Sequence, residues 1–159
     1  MKTTASTETP HVITPRASHT SAPEVLEAML AISQSPAANL LDRGLLDLVR
    51  LRASQLNRCG FCLDMHFRDA KAGGETDERL ALLPAWEEVS CYTPRERAAL
   101  RWTEAVTRLG EHGVSAEIFA EARAHFSEKE LFHLTLAIVV INGWNRFNVA
   151  FHIQPGAAA

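Results

Sequence analysis

The sequence predicts an all-α single domain, and three observations carry that prediction. Capping boxes recur: Ser21-Ala-Pro-Glu24, Thr93-Pro-Arg-Glu96 and Ser127-Glu-Lys-Glu130 each set a hydroxyl three residues ahead of a glutamate. That pattern satisfies free amides at a helix start. The apolar residues between the boxes repeat mostly at helical spacing. No alternating strand pattern and no internal repeat is present. The chain has 159 residues, enough for one domain with a real core.

The elements follow in order. The box at Ser21 opens a first helix carried by Leu26, Met29, Leu30 and Ser33. Leu45, Leu48, Val49, Ala53 and Leu56 form the stripe of a second, over 41–56. A third starts near Cys59 and stops at Gly73-Gly74. Thr76 caps a short fourth that ends near Pro84. Residues 94–109 and 115–125 give two more, and 128–149 the last. The last segment contains Leu-Ala-Ile-Val-Val-Ile, which is strand-like by composition. Its capping box and its length assign it to a helix. Its apolar residues point all round, so the helix is expected to be buried, between subunits. The total is six to seven helices.

Composition excludes several classes. Apolar residues make up 47% and charged residues 22%, so the chain is neither disordered nor fibrous. Sixteen basic residues against nineteen acidic give a net charge of −3, which argues against a nucleic-acid grip. Three cysteines are too few for a disulfide scaffold. The longest apolar run, Leu131 to Ile141, includes His133 and Thr135 and is too short to span a bilayer. Residues 1–20 are Thr-rich with no apolar export segment, and read as an arm or a strap on a partner subunit. The helical domain is expected over 21–152, with a tail at 153–159. A reducing cytoplasm is the expected location.

The most informative stretch is Asn57-Arg-Cys59-Gly-Phe-Cys62-Leu-Asp-Met-His66. On a helix Cys59, Cys62 and His66 share one face. Free amides and the helix dipole at an N-terminus favour thiolate, and Arg58 adds positive charge. A redox dithiol fits this spacing best. A zinc site from Cys59, Cys62, His66 and Cys91 is a second reading. A pair of buried helical cysteines with a satisfied histidine is a third. A thioredoxin fold is disfavoured because no strand precedes the motif. Cys91 reads as a core thiol. Dipole and Arg58 favour Cys59 as thiolate, while His66 favours Cys62, so spacing does not decide which one attacks.

Asp47 lies in the preceding helix, where an acid can hold His66 in one tautomer. Periodicity alone reads it as a solvated acid paired with Arg50. No haem, flavin or nucleotide motif occurs, and Gly73-Gly74 is a helix stop rather than a phosphate loop.

The stretch Leu45–His66, with Ser54-Gln-Leu-Asn57 ahead of Cys-x-x-Cys-x-x-x-His, resembles the alkylhydroperoxidase D-like branch of the carboxymuconolactone decarboxylase superfamily. The resemblance continues through Arg95–Val106, His125–Leu131 and Ile141–Ala150, and so covers most of 24–152. It implies an all-helical subunit that assembles as a homo-oligomer, a trimer or hexamer. It implies reduction of organic hydroperoxides without cofactor or metal. Carried over, Cys62 attacks the peroxide, Cys59 resolves and His66 relays the proton. Asp47 stands where the family has glutamate, one methylene longer. Phe61 stands where some members have histidine or tyrosine, and offers no proton-transfer group.

The function expected is therefore that of a thiol peroxidase, recycled by an external dithiol on a thioredoxin-like or lipoyl-bearing protein. Its pocket is expected to be apolar, with Phe61, Met65, Trp102 and Trp144 as candidate walls, although each reads first as ordinary core and Trp144 equally as a subunit contact. The alternatives are a redox-sensing or zinc-stabilised interaction protein, and a decarboxylase of the same superfamily. The dithiol argues against the last, because decarboxylation needs no redox pair.

Overall fold

Residues 18–156 are described in the computed structural model, and they form seven α-helices with no β-sheet. The helices are α1 (Pro23–Ser33), α2 (Arg43–Leu56), α3 (Gly60–Ala72), α4 (Asp77–Leu82), α5 (Pro94–Thr107), α6 (Ala116–His125) and α7 (Glu128–Ala150). Short 3-10 turns at His19–Ser21, Pro36–Asn39 and Leu83–Glu88 link them. The fourth helix thus ends before Pro84, and the chain tightens into the third of these turns.

Local chemistry sets most boundaries. Both later capping boxes form. The Glu96 amide donates to Thr93 Oγ1 at 3.2 Å, while the Thr93 amide donates to Glu96 Oε2 at 2.7 Å. Ser127 and Glu130 repeat this at 3.2 and 2.8 Å. Asp42, Thr76 and Ser115 cap α2, α4 and α6 in the same way. The box at Ser21 does not form. Ala22 takes the N-cap of α1 without a side-chain bond, and Ser21 Oγ accepts from the Ser18 amide at 3.2 Å. Pro23 at the first helical position starts α1 instead.

α2 lies at the centre, packed on α3, α5 and α7. Leu45, Val49, Trp102, Phe126, Leu134 and Ile138 form the larger core cluster. Leu48, Leu51, Leu83, Trp86 and Leu100 form a second on the other flank of α2. Each such side chain contributes about 1.5–3 kcal/mol by leaving water. Trp102, expected as a candidate pocket wall, is core: it belongs to the larger cluster and donates to Thr135 Oγ1 at 3.0 Å.

α7 is helical throughout its 23 residues. Its β-branched run packs rather than pairs, because Ile138 and Ile141 face α2 and α3 in the core. The helix is not covered on all sides within one chain. Phe132 is 73% exposed and Val139 56%.

α2 and α3 are joined without slack. Asn57 ends α2, and Arg58 takes the left-handed conformation at φ +54°. The Arg58 amide bonds Gln55 O at 3.1 Å and the Cys59 amide bonds Ser54 O at 3.1 Å. This is a Schellman stop. Cys59 then serves directly as the N-cap of α3, its sulfur accepting from the Cys62 amide at 3.3 Å. One residue closes one helix and opens the next, which fixes both cysteines against α2.

Candidate functional site

Cys59 and Cys62 are 1% and 0% exposed, and both are free thiols. They pack with Ala53 and Ile141, flanked by Phe61 and Trp144. The Cys62 amide donates to the Cys59 sulfur at 3.3 Å, and the two adjacent thiols ionise in dependence on one another. The Cys62 thiol, together with the Cys62 amide, pulls Cys59 down to about 7 against the cost of burial. The Cys59 sulfur in turn pushes Cys62 well above the usual thiol range, and burial adds to that. Of the two, Cys59 is the sulfur that ionises near neutral pH, while Cys62 keeps its proton. The neighbouring cysteine is the largest cause of that order, and the amide at the start of α3 adds to it.

α7 supplies a row of amides behind the cysteines. Asn142, Asn145 and Asn148 recur every third residue and are all buried. Asn57 Nδ2 donates to Asn142 Oδ1 at 2.6 Å and to Asn145 Oδ1 at 2.8 Å. Asn142 donates on to Thr107 at 3.0 Å and Asn145 to Ser54 at 3.1 Å. Asn148 Nδ2 donates to Cys62 Sγ at 3.2 Å. That bond favours negative charge on Cys62.

His66 follows Cys62 by one turn of α3 and is 8% exposed. Nδ1 faces Asp69 Oδ2 at 3.7 Å, and Nε2 is buried with no hydrogen-bond partner. Burial, helped by the charge of Arg50, holds the imidazole down to about 4. It is neutral at pH 7. With its proton on Nδ1 toward Asp69, Nε2 presents a lone pair.

Asp47 is buried, not solvated, at 4% exposure. Its neighbours are Arg43 at 3.6 Å and Arg50 at 3.8 Å. The pairing with Arg50 is the one periodicity suggests. What periodicity omits is the end of α3 lying over it: a Cβ at Gly73 would stand 3.4 Å from Asp47 Oδ2. Desolvation there raises the carboxyl above its usual range. Asp47 makes no hydrogen bond or ion pair with His66; the carboxylate beside the imidazole is Asp69.

A cavity of 460 Å³ opens in front of Cys62, within the usual range of about 300–1,000 Å³ for small-molecule sites. Its walls are mainly Leu26 and Leu30 of α1, Phe61 and Met65 of α3, and Ile141 and Trp144 of α7. Cys62, His66, Asn148 and Arg50 also face it, whereas Cys59 does not. Trp144 Nε1 donates to Ser33 Oγ at 2.7 Å and holds α1 against α7.

His19 closes one side. Most of the segment expected as an arm, residues 1–17, lies outside the described residues. His19 itself lines the cavity, edge-on to Phe61 at 5.5 Å and Trp144 at 5.7 Å. Its Nε2 lies 2.6 Å from Asn148 Oδ1, so it donates to the amide that bonds Cys62. At the other end of the chain, Ile153 is buried and its amide bonds Asn148 O at 2.9 Å. His19 and Asp69 are neighbours of the site that no spacing in the sequence marks, and Arg50 is marked there only as the partner of Asp47.

Cys91 stands apart from this group. It packs beside Leu48, Leu83 and Trp86 in the second core cluster. The four ligands of the zinc reading are therefore not brought together. Among the described residues no cluster of His, Cys, Asp or Glu could hold a metal. No helix among them is long and apolar enough to cross a membrane.

Known proteins share this architecture. A solved structure from Agrobacterium tumefaciens, of unknown function and proposed as the antioxidant defence protein AhpD, superposes with a TM-score of 0.86 at 36% identity. The match covers 91% of this chain and all of that one. An uncharacterised peroxidase-related protein from Ralstonia eutropha and the debrominase Bmp8 share the fold at 19% identity, with TM-scores of 0.73 and 0.76. They match over 86% and 87% of this chain, and 73% and 75% of their own. In sequence, the uncharacterised protein YdfG of Bacillus subtilis is 37% identical over 81% of this chain and 88% of its own length. Escherichia coli YnjA is 32% identical over 71% of this chain and 62% of its own. The model of the carboxymuconolactone decarboxylase family matches residues 23–105, the half of the chain that carries both cysteines and the histidine. The chain belongs to the carboxymuconolactone decarboxylase family, in its AhpD-like branch.

Proposed function

We propose that the protein is a thiol peroxidase that reduces organic hydroperoxides through a Cys59–Cys62 dithiol/disulfide cycle. The observation that carries this reading is the division between the two sulfurs. Cys62 faces the cavity, and Cys59 sits behind it as its hydrogen-bonded partner.

The cycle then follows from charge and position. A hydroperoxide enters the apolar cavity, and the sulfur of Cys62 attacks its terminal oxygen. The O–O bond breaks and Cys62 becomes a sulfenic acid. The thiol proton passes through His66 Nε2 to the leaving alkoxide, giving the alcohol. The imidazole is neutral and its Nε2 lone pair is open, so it can take a proton and return it to the alkoxide. Asn148 stabilises charge on Cys62 as the proton leaves. Cys59, ionised as thiolate, attacks the sulfenic sulfur and expels hydroxide, which takes up a proton to form water. The disulfide is reduced by exchange with an external dithiol on a thioredoxin-like or lipoyl-bearing protein. A reducing compartment such as the cytoplasm suits that step. Asp47 acts here through Arg50 rather than on His66 directly.

The debrominase among the structural relatives shows that the fold hosts more than one chemistry. The dithiol favours the redox reading over decarboxylation. The exposed apolar residues on α7 support assembly with further copies of the chain.

Cys62→Ser is expected to abolish peroxide turnover. Cys59→Ser is expected to consume one equivalent and stop at a sulfenic acid trapped by dimedone on Cys62. Full turnover by Cys62→Ser would overturn the assignment.

A further inference from the structure

We propose that the cavity selects a hydroperoxide with an apolar body and one carboxylate, which Arg50 receives. This deepens the peroxidase reading and rests on it for the reacting end of the ligand.

Two polar groups on the cavity wall keep hydrogen-bonding capacity unused. The first is His66 Nε2, buried and without a hydrogen bond. A buried ring nitrogen left open costs free energy, so the site is built for a group that donates to it. The hydroperoxide O–H is such a group. The second is the Arg50 guanidinium. Nη2 donates to Asn39 Oδ1 at 2.6 Å and to Ala38 O at 3.4 Å. Nη1 faces Asp47 Oδ1 at 3.8 Å, too far for a hydrogen bond, and Nε makes none to the described residues.

The charges around Arg50 leave it under-compensated. Asp47 divides its carboxylate between Arg50 and Arg43. Asp69 is more distant and half exposed. Burial disfavours the Arg50 charge. A guanidinium held at the edge of an apolar cavity, with Nη1 and Nε not hydrogen-bonded and a counter-ion shared with Arg43, matches a ligand carboxylate in geometry and in charge. The rest of the wall is aliphatic or aromatic, which suits a hydrocarbon body and excludes a second charge. Peroxidised unsaturated carboxylic acids have this chemistry.

Two measurements test the proposal separately from the peroxidase reading. The first is calorimetric binding of octanoate and of 1-octanol to the full-length Cys62→Ser protein, which needs no turnover. Octanoate is expected to bind at least about tenfold more tightly, the size of one charge-assisted bond. Arg50→Lys should keep most of that preference and Arg50→Gln should lose it. The second is turnover of linoleic acid hydroperoxide and of its methyl ester by the wild-type protein, with kcat/KM about tenfold higher for the acid. Octanoate preference that requires a cation at position 50, without peroxide turnover, would support the carboxylate site and sink the peroxidase reading. Turnover with acid and ester used equally would leave the peroxidase and overturn the carboxylate site. Equal binding of octanoate and octanol, or binding of neither, would overturn it as well, with no variant needed.

Discussion

The imidazole of His66 is buried neutral, and that choice has a measurable consequence. An unfolded histidine titrates near 6.5, and in this fold His66 is held down to about 4. Between those values the unfolded chain binds more protons, so stability rises with pH across the window and is lost as pH falls through it. The contribution is on the order of 3 kcal/mol. Asp47, whose carboxyl is raised, works in the opposite sense just above its ordinary value. His66→Gln is therefore expected to flatten the pH dependence of the urea midpoint between about 4.5 and 6.5. An unchanged slope would mean that His66 is charged in the fold. The cysteines and His66 were legible because their chemistry is written in one short spacing on one helix. The burial of Asp47 was not, because it depends on where the end of α3 comes to rest. His19 gave no signal at all: a lone histidine among threonines and serines acquires meaning only when folding sets it 2.6 Å from Asn148.

At the scale of elements, the site is a junction of α2, α3 and α7. The three asparagines of α7 directly follow the apolar run that ends at Ile141. Their pairing with Asn57 is not readable there, since it spans 85 to 88 residues of chain. Asn57 is the hub, with Asn142, Asn145 and the Ala53 carbonyl as its acceptors. Asn57→Ala leaves the buried Asn145 Oδ1 without its donor and Asn142 Oδ1 with Arg146 alone. The expected cost is about 1–3 kcal/mol in urea unfolding. A loss within about 0.5 kcal/mol, the ordinary range for surface changes, would show that the row does not hold the junction. Capping boxes predicted α5 and α7 well because a cap involves only four neighbouring residues. The box at Ser21 failed for an equally local reason: Pro23 two residues on starts the helix one step later, and the Ser21 hydroxyl turns back to Ser18.

The whole molecule leaves apolar residues uncovered in a single chain. Phe132 and Val139 lie two turns apart on α7, and Phe119 on α6 is 49% exposed. The all-round hydrophobicity of α7 was readable in the sequence, and one chain buries only part of it. A single chain with these faces is expected to associate. Sedimentation should show an oligomer, and Phe132→Glu with Val139→Glu should shift it toward monomer with helical content intact. A monomeric wild-type protein would contradict this. The all-α class and the order of the helices followed from periodicity and punctuation, whereas the cavity required α1, α3 and α7 to meet, which no local pattern encodes.

The dithiol cycle is tested most directly by peptide mapping of the purified protein after one equivalent of cumene hydroperoxide. A Cys59–Cys62 disulfide, Cys91 still free and one equivalent of cumyl alcohol released are the expected result. Both site thiols remaining reduced, or a disulfide that includes Cys91, would contradict it.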